Sequence, residues 1–191
     1  MVYSDFKIIE NQLMDSLIRF NFIFKNQYIN TECISNFEKF SLMGDSYGPF
    51  EKGKTYKLRF FEALPFIKSK VLKVASEEKC DNVDVQRYAI SERDDQKLNM
   101  RENRLFLNKI KEFKLFIESD VQENKKPKID LDRYISYFVN IIDSRLLKLL
   151  RLARSELSLG DERRITNSEK ILYEKLSILI NQWRTFLLNK E

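Results

Sequence analysis

Residues 34–53 read Ile34-Ser35-Asn36-Phe37-Glu38-Lys39-Phe40-Ser41-Leu42-Met43-Gly44-Asp45-Ser46-Tyr47-Gly48-Pro49-Phe50-Glu51-Lys52-Gly53. Three of the four glycines in the 191-residue chain, and one of its three prolines, fall between positions 44 and 53. Glycine supplies positive φ and proline a fixed φ, so this is the strongest turn signal in the chain. Short runs rich in aromatic and β-branched residues surround it. Residues 17–25 alternate through Ile18, Phe20, Phe22 and Phe24, which predicts a strand. Asn26-Gln27 predicts a turn into a strand over residues 28–34. A third strand is expected over 37–43 and a last over 55–58. Residues 3–14 read as either a short helix or a strand.

After Arg59 the period becomes helical. A short or broken helix is expected over 60–75, with Pro65 tolerable only in an early turn. A short helix at 83–90 follows, then a helix over 100–119. Asp130 predicts the cap of a long helix reaching about Ser158, closed by Gly160. Asn167 or Ser168 predicts the cap of the last, reaching about Asn189, with Glu169 and Glu174 near its positive end. The class is therefore α+β: a small N-terminal β-domain over 1–59, then a larger C-terminal α-helical bundle domain over 60–191.

The helices carry more apolar surface than one seam needs. On the long helix, Leu131, Ile135, Phe138, Ile142, Leu149 and Ala153 share a face, which Val139, Leu146, Leu150 and Leu157 widen. Ile141, Leu147 and Leu152 lie outside it. The last helix has Leu172, Leu176, Leu179, Ile180, Trp183 and Leu187 on one face, with Ile171, Ile178 and Phe186 around it. A helix apolar on several sides is buried on several sides, and partner subunits would supply the cover. The candidate partner contacts are Ile141, Leu146, Leu147, Leu150, Leu152, Trp183 and Phe186. The alternative is one large aromatic core within the chain. Arg145, Arg151 and Arg154 could pair with a partner's carboxylates.

Composition removes much familiar chemistry. There is no histidine, so Ser-His triads, Cys-His dyads and His-based metal sites are excluded. Cys33 and Cys80 cannot furnish a zinc site or a disulfide framework. Glu77-Glu78 and Asp94-Asp95 are adjacent carboxylates in polar stretches, with nothing nearby to raise a pKa. No enzyme activity, cofactor or metal is expected. The net charge is +5, from 34 Lys plus Arg and 29 Asp plus Glu. Both signs are interspersed along the chain, unlike the basic stripe of a phosphate binder. Lys68, Lys70 and Lys73 form a small basic cluster, weak candidates for phosphate contact against the plainer reading of a solvated helix face. No signal-peptide pattern opens the sequence, and no apolar run approaches the roughly 20 residues of a membrane helix. A soluble, intracellular protein is expected.

Residues 34–53 resemble the β-domain of the GINS replication complex, in its Psf-two-type subunit. That family carries an Ile-Pro-Asn-Phe-like start, an apolar strand and a Gly-Asp-x-Gly-Pro-Phe-x-x-Gly turn. A Pro-Leu-Trp-Leu-Ala-like lead-in to the first helix follows. Here Ser35 replaces the first proline, and Arg59-Phe60-Phe61-Glu62-Ala63 keeps only the aromatic and Ala63 of the lead-in. The later helices fit the family's α-domain in order and length. The resemblance favours an archaeal subunit that merges the Psf-two and Psf-three types. It implies a non-catalytic scaffold, assembled with a second GINS subunit type as a heterotetramer through an α-helical oligomerisation domain. The complex would join the MCM helicase to a Cdc45- or RecJ-like protein at the fork, and can touch primase. DNA contact would be weak or indirect, and no membrane is involved. The location would be cytoplasmic and nucleoid-associated in an archaeon, nuclear in a eukaryote. A stand-alone nucleic-acid-binding module is the alternative, motivated by the net charge and the lysine cluster.

Overall fold

A computed structural model describes residues 2–42, 44–101 and 103–188. In chain order the elements are α1 (Val2–Lys25), β1 (Tyr28–Cys33), β2 (Phe40–Leu42), β3 (Asp45–Tyr47), β4 (Thr55–Arg59) and α2 (Phe60–Lys68). They continue as β5 (Leu72–Val74), α3 (Asn82–Asp94), α4 (Phe106–Gln122), α5 (Lys128–Leu152), α6 (Leu159–Glu162) and α7 (Asn167–Leu188). The fold is α+β, with a small antiparallel sheet near the N-terminus and a helical C-terminal region. Met43 and Asn189, expected at the ends of a strand and a helix, lie outside the described residues.

The strand expected over residues 17–25 is instead the end of α1. Phe24 is buried, while Ile18 and Phe22, its neighbours on the expected strand face, are exposed. The less exposed apolar residues from 11 to 25 are Leu13, Leu17, Phe20 and Phe24, a spacing of three and four that a helix places on one side. Over nine residues an apolar alternation satisfies both periods. A helix already running from Val2 extends through it at little cost, because propagation is far cheaper than nucleation.

The chain groups into two compact units, Phe22–Lys79 and Met1–Asn21 with Cys80–Glu191. This division differs from the expected break at 59/60. The small unit keeps α2 and β5, because β5 pairs with β1, and the helical unit includes most of α1.

In the small unit the sheet order is β4-β1-β5, antiparallel throughout. Ile29, Thr31 and Cys33 of β1 are buried on alternate positions, and Thr31 Oγ1 donates to the Tyr56 carbonyl at 2.9 Å. Cys33, Phe50, Phe66, Val71 and Leu72 form the core, with Phe37, Tyr47 and Tyr56 packed on it. The glycine-rich segment folds into the β2–β3 hairpin and a loop tied down at several points. Phe37 and Phe50 exchange backbone hydrogen bonds at 2.9 Å. Asn36 Oδ1 accepts from the Lys52 amide at 2.7 Å. The Tyr56 hydroxyl accepts from the Glu51 amide at 2.8 Å and donates to the Pro49 carbonyl at 3.3 Å. Gly48 has φ +82°, and a Cβ there would lie 3.2 Å from the Phe50 nitrogen. Glycine fits this position both by conformation and by space.

The short or broken helix expected over 60–75 is α2 followed by β5. Pro65 sits at the sixth residue of α2, where it removes one helical hydrogen bond. The helix stops three residues later, and Lys70 turns the chain at φ 59° into β5.

The helical unit also departs from the expected boundaries. Helix α4 begins at Phe106 rather than residue 100, because the carbonyls of Lys97, Leu98 and Asn99 accept from Lys148, Arg164 and Arg145. Helix α5 has Pro127 at its N-cap position without a side-chain cap bond, places Asp130 in its first turn and ends at Leu152. Ser158 caps the separate helix α6, so Gly160 sits inside a helix instead of closing one. Asp81 caps α3 by accepting from the Val83 and Asp84 amides. Among the described residues, no helix is long and apolar enough to cross a membrane.

Candidate interaction surface

Helix α5 turns two of its charged residues, Arg145 and Lys148, inward. Tyr134, Ile141, Arg145, Lys148 and Leu149 are its buried residues, spaced so that one side of the helix carries them. The Arg145 side chain is 1% exposed and meets Glu92 of α3, itself 0% exposed, and Glu169 of α7. Its Nε and Nη2 donate to the two oxygens of Glu169 at 2.6 and 2.8 Å. Its Nη1 donates to Glu92 Oε2 at 2.9 Å. Lys148 Nζ donates to Glu92 Oε1 at 2.7 Å and to the Glu92 backbone carbonyl. Thr166 adds its amide and hydroxyl to Glu169 Oε2 at 2.7 and 2.9 Å. Burial pulls the Arg145 guanidinium down, but the bonds and charge of Glu169 and Glu92 outweigh it and hold it above its ordinary value.

These bonds occupy both oxygens of each carboxylate, so neither is free to serve as a base. The cluster clamps α3, α5 and the start of α7. Buried ion pairs give little net stability over a well-packed apolar core, but their partners cannot be removed singly without leaving a buried charge. Arg101 completes the cluster. Its guanidinium lies 4.8 and 4.9 Å from the ring centroids of Tyr88 and Phe106, and its Nη2 is 3.6 Å from Glu92. Burial lowers its pKa, and the aromatic faces attract the cation.

Cys33 and Cys80 are free, buried thiols. Burial pushes the Cys80 thiol up to about 11, which leaves it protonated and a weak nucleophile at neutral pH. Tyr134 lies beside it, with its hydroxyl 3.9 Å from Cys80 Sγ and donating to the Ile110 carbonyl at 2.8 Å. Among the described residues no group of three or more His, Cys, Asp or Glu could hold a metal ion.

With the charges inside, the leucines lie outside. Leu146, Leu147 and Leu150 are exposed, as are Ile135, Val139 and Ile142. Of the residues expected to share one face, Ile135 and Ile142 are exposed while Leu149 and Ala153 are buried, and Ile141, expected to meet a partner, is 0% exposed in the core. That corrects two readings: Ile141 is unavailable to a partner, and Arg145 is paired within its own chain. Leu152 is partly buried against Leu98, Leu149, Ala153, Ile165 and Tyr173, so it belongs to the interior as well.

Helix α7 packs through its first half, where Tyr173 is buried and Leu172, Leu176 and Ile180 are partly buried. From residue 181 to 188 every residue is exposed. Trp183 is 65% and Phe186 78% exposed, beside exposed Leu187 and Leu188. The three exposed α5 leucines open on different grooves. Leu146 lines one of about 340 Å³ with Leu13 and Leu17 of α1, Leu107, Phe138 and Leu172. Leu147 lines another with Ile90 and Tyr137. Leu150 lines a third, about 660 Å³, with Ile180, Trp183 and Leu187. The structure thus brings Leu150 and Trp183 together and puts Leu146 and Leu147 elsewhere.

The lysine cluster is dispersed by the small unit's fold. Lys68 is in the last turn of α2 and Lys70 in the turn after it. Lys73 is on β5, where its Nζ meets Glu32 of β1 at 3.0 Å.

Sequence reasoning missed the ionic cluster, and the reason is its range. Glu92 lies 53 residues before Arg145 and Glu169 lies 24 after it. A core-facing Arg or Lys has the same helical spacing whether it is solvated or paired. The chain matches no family model and no curated protein.

Proposed function

We propose that this chain is a non-catalytic scaffold subunit of a GINS-type replication complex, which links and activates an MCM helicase with a Cdc45- or RecJ-like partner. The observation that carries this reading is the last two turns of α7. Eight consecutive exposed residues there include Trp183, Phe186, Leu187 and Leu188. Contiguous apolar surface of this kind marks an interaction site, and Trp is among the residues that dominate interface energetics. The glycine-turn motif supplies the family. Asn36, Phe37, Gly48 and Phe50 are bonded or packed into the loop, a structural use for the positions that carry the resemblance. The open helical faces then hold a second GINS subunit type, and remaining surfaces meet the helicase.

Co-expression with a second GINS-type subunit tests this reading. The expected result is a defined hetero-oligomer in sedimentation, with the chain alone self-associated or poorly stable. A well-behaved monomer indifferent to that subunit would overturn it. The nucleic-acid alternative has less support, since Lys73 is engaged by Glu32.

A further inference from the structure

The groove between the C-terminal halves of α5 and α7 has a one-sided charge. Leu150, Ile180, Trp183 and Leu187 form its apolar lining, and its charged residues are Arg154 and Arg184. Neither arginine has a carboxylate partner among the described residues. Arg184 Nη1 instead reaches the Arg154 backbone carbonyl at 3.4 Å, and both arginines are exposed. The sequence is consistent over both helices: residues 144–155 and 175–188 contain no Asp or Glu.

We infer that this groove takes an acidic amphipathic helix from a different chain, with apolar residues against Trp183 and carboxylates against Arg154 and Arg184. The inference deepens the scaffold reading, on which it rests, by stating the chemistry of the partner. Three observations favour this occupant. The open part of α7 is a helical face two turns long, and an amphipathic helix covers such a face with anchors every third or fourth residue. Guanidinium groups bind carboxylates in paired hydrogen bonds, which strengthen as the rim loses water. A second copy of this chain fits poorly. Two-fold pairing sets the same patch against itself, so Arg154 and Arg184 would meet like charges, which suppresses association. A nucleic-acid strand fits less well too, because it needs a track of cations and successive stacking rings. This groove has two cations and one ring.

Trp183 is the only tryptophan in the chain, so its emission reports this groove alone. The full chain is titrated with two synthetic helical peptides of identical apolar sequence, one flanked by glutamates and the other by lysines. The expected result is a blue shift with the glutamate peptide, and affinity about tenfold or more above that for the lysine peptide. The double variant R154E/R184E should reverse the preference, with circular dichroism as the check on folding. Equal binding of both peptides, no binding of the glutamate peptide, or an unchanged preference in a folded variant overturns the inference. So does a stable homodimer of the parent chain in sedimentation, or preferential binding of a single-stranded oligonucleotide at Trp183. The parent chain's preference between the peptides decides the matter even where the variant does not fold. If the complex with a second GINS-type subunit forms and is unaffected by R154E/R184E, this charge rule fails while the scaffold reading stands. If no such complex forms, the scaffold reading itself fails.

Discussion

The small unit and the helical unit both bury apolar residues and differ in what accompanies them, aromatic rings in one and an ionic cluster in the other. In the small unit Phe37, Tyr47, Phe50, Tyr56 and Phe66 converge, with ring centroids 4.9 to 6.3 Å apart, and the glycine-rich loop is bonded over them. In the helical unit the sole tryptophan and Phe186 stay outside, while Arg145, Lys148, Glu92 and Glu169 occupy the interior. Aromatic packing inside a short unit gives a closed core that needs little else. An ionic interior does not stabilise a helical bundle in the same way, because desolvation offsets most of the Coulomb gain. Its value lies in geometry: the four charges fit one arrangement of α3, α5 and α7. That arrangement leaves the leucines and Trp183 turned outward.

The sharpest way to break this contrast is to remove one member of the ionic cluster. Arg145→Leu keeps much of the volume but leaves Glu92 and Glu169 buried without their main partner. It should cost about 3–5 kcal/mol in denaturant unfolding, and a loss below about 1 kcal/mol would show the cluster to be dispensable. Next in size is an effect on assembly rather than folding. Trp183→Ala should weaken binding to a second GINS-type subunit by about 2–4 kcal/mol. Stability of the chain alone should stay within about 0.5 kcal/mol, as for other exposed sites. Loss of stability in place of affinity would move Trp183 into the core.

A third measurement uses pH. The Cys80 thiol is neutral in the fold up to about 11, against an ordinary 9.0, so the unfolded chain loses this proton first as pH rises. The associated stability is complete below the unfolded value and disappears as pH climbs through the folded one. The stability difference between the parent and Cys80→Ala should shrink by about 2–3 kcal/mol over that window. A difference constant with pH would mean the thiol is not desolvated. The smallest expected effect probes the closed core of the other unit. Gly48→Ala puts a Cβ 3.2 Å from the Phe50 nitrogen at a positive φ, and should lower stability by about 1–2 kcal/mol. An unchanged unfolding midpoint would show that the loop can yield.

Much of the fold was legible. The concentration of glycine and proline marks the loop of the small unit, and the strands at 28–33 and 55–59 lie where aromatic and β-branched runs place them. Helix α7 begins at Asn167, so Thr166, whose hydroxyl accepts from the Glu169 amide at 3.4 Å, stands at its cap in place of the expected Asn167 or Ser168. Residues 17–25 were misleading because nine residues with an apolar alternation do not separate a strand from the end of a long helix. The candidate surface was half legible. Trp183, Phe186, Leu146, Leu147 and Leu150 are open as expected, whereas Ile141 and Leu152 are not.

What the sequence determines by itself is which residues share a side of each helix, where the chain must turn, and that histidine chemistry is absent. It does not determine which side of α5 faces inward. Period fixes the angle between Ile141 and Leu146 about the helix axis, and both carry apolar neighbours. Only the folded chain brings Glu92 and Glu169 to Arg145, and that distant pairing selects the charged side for the interior. Leu146, Leu147 and Leu150 stay uncovered because one helix cannot be covered on every side by so few others.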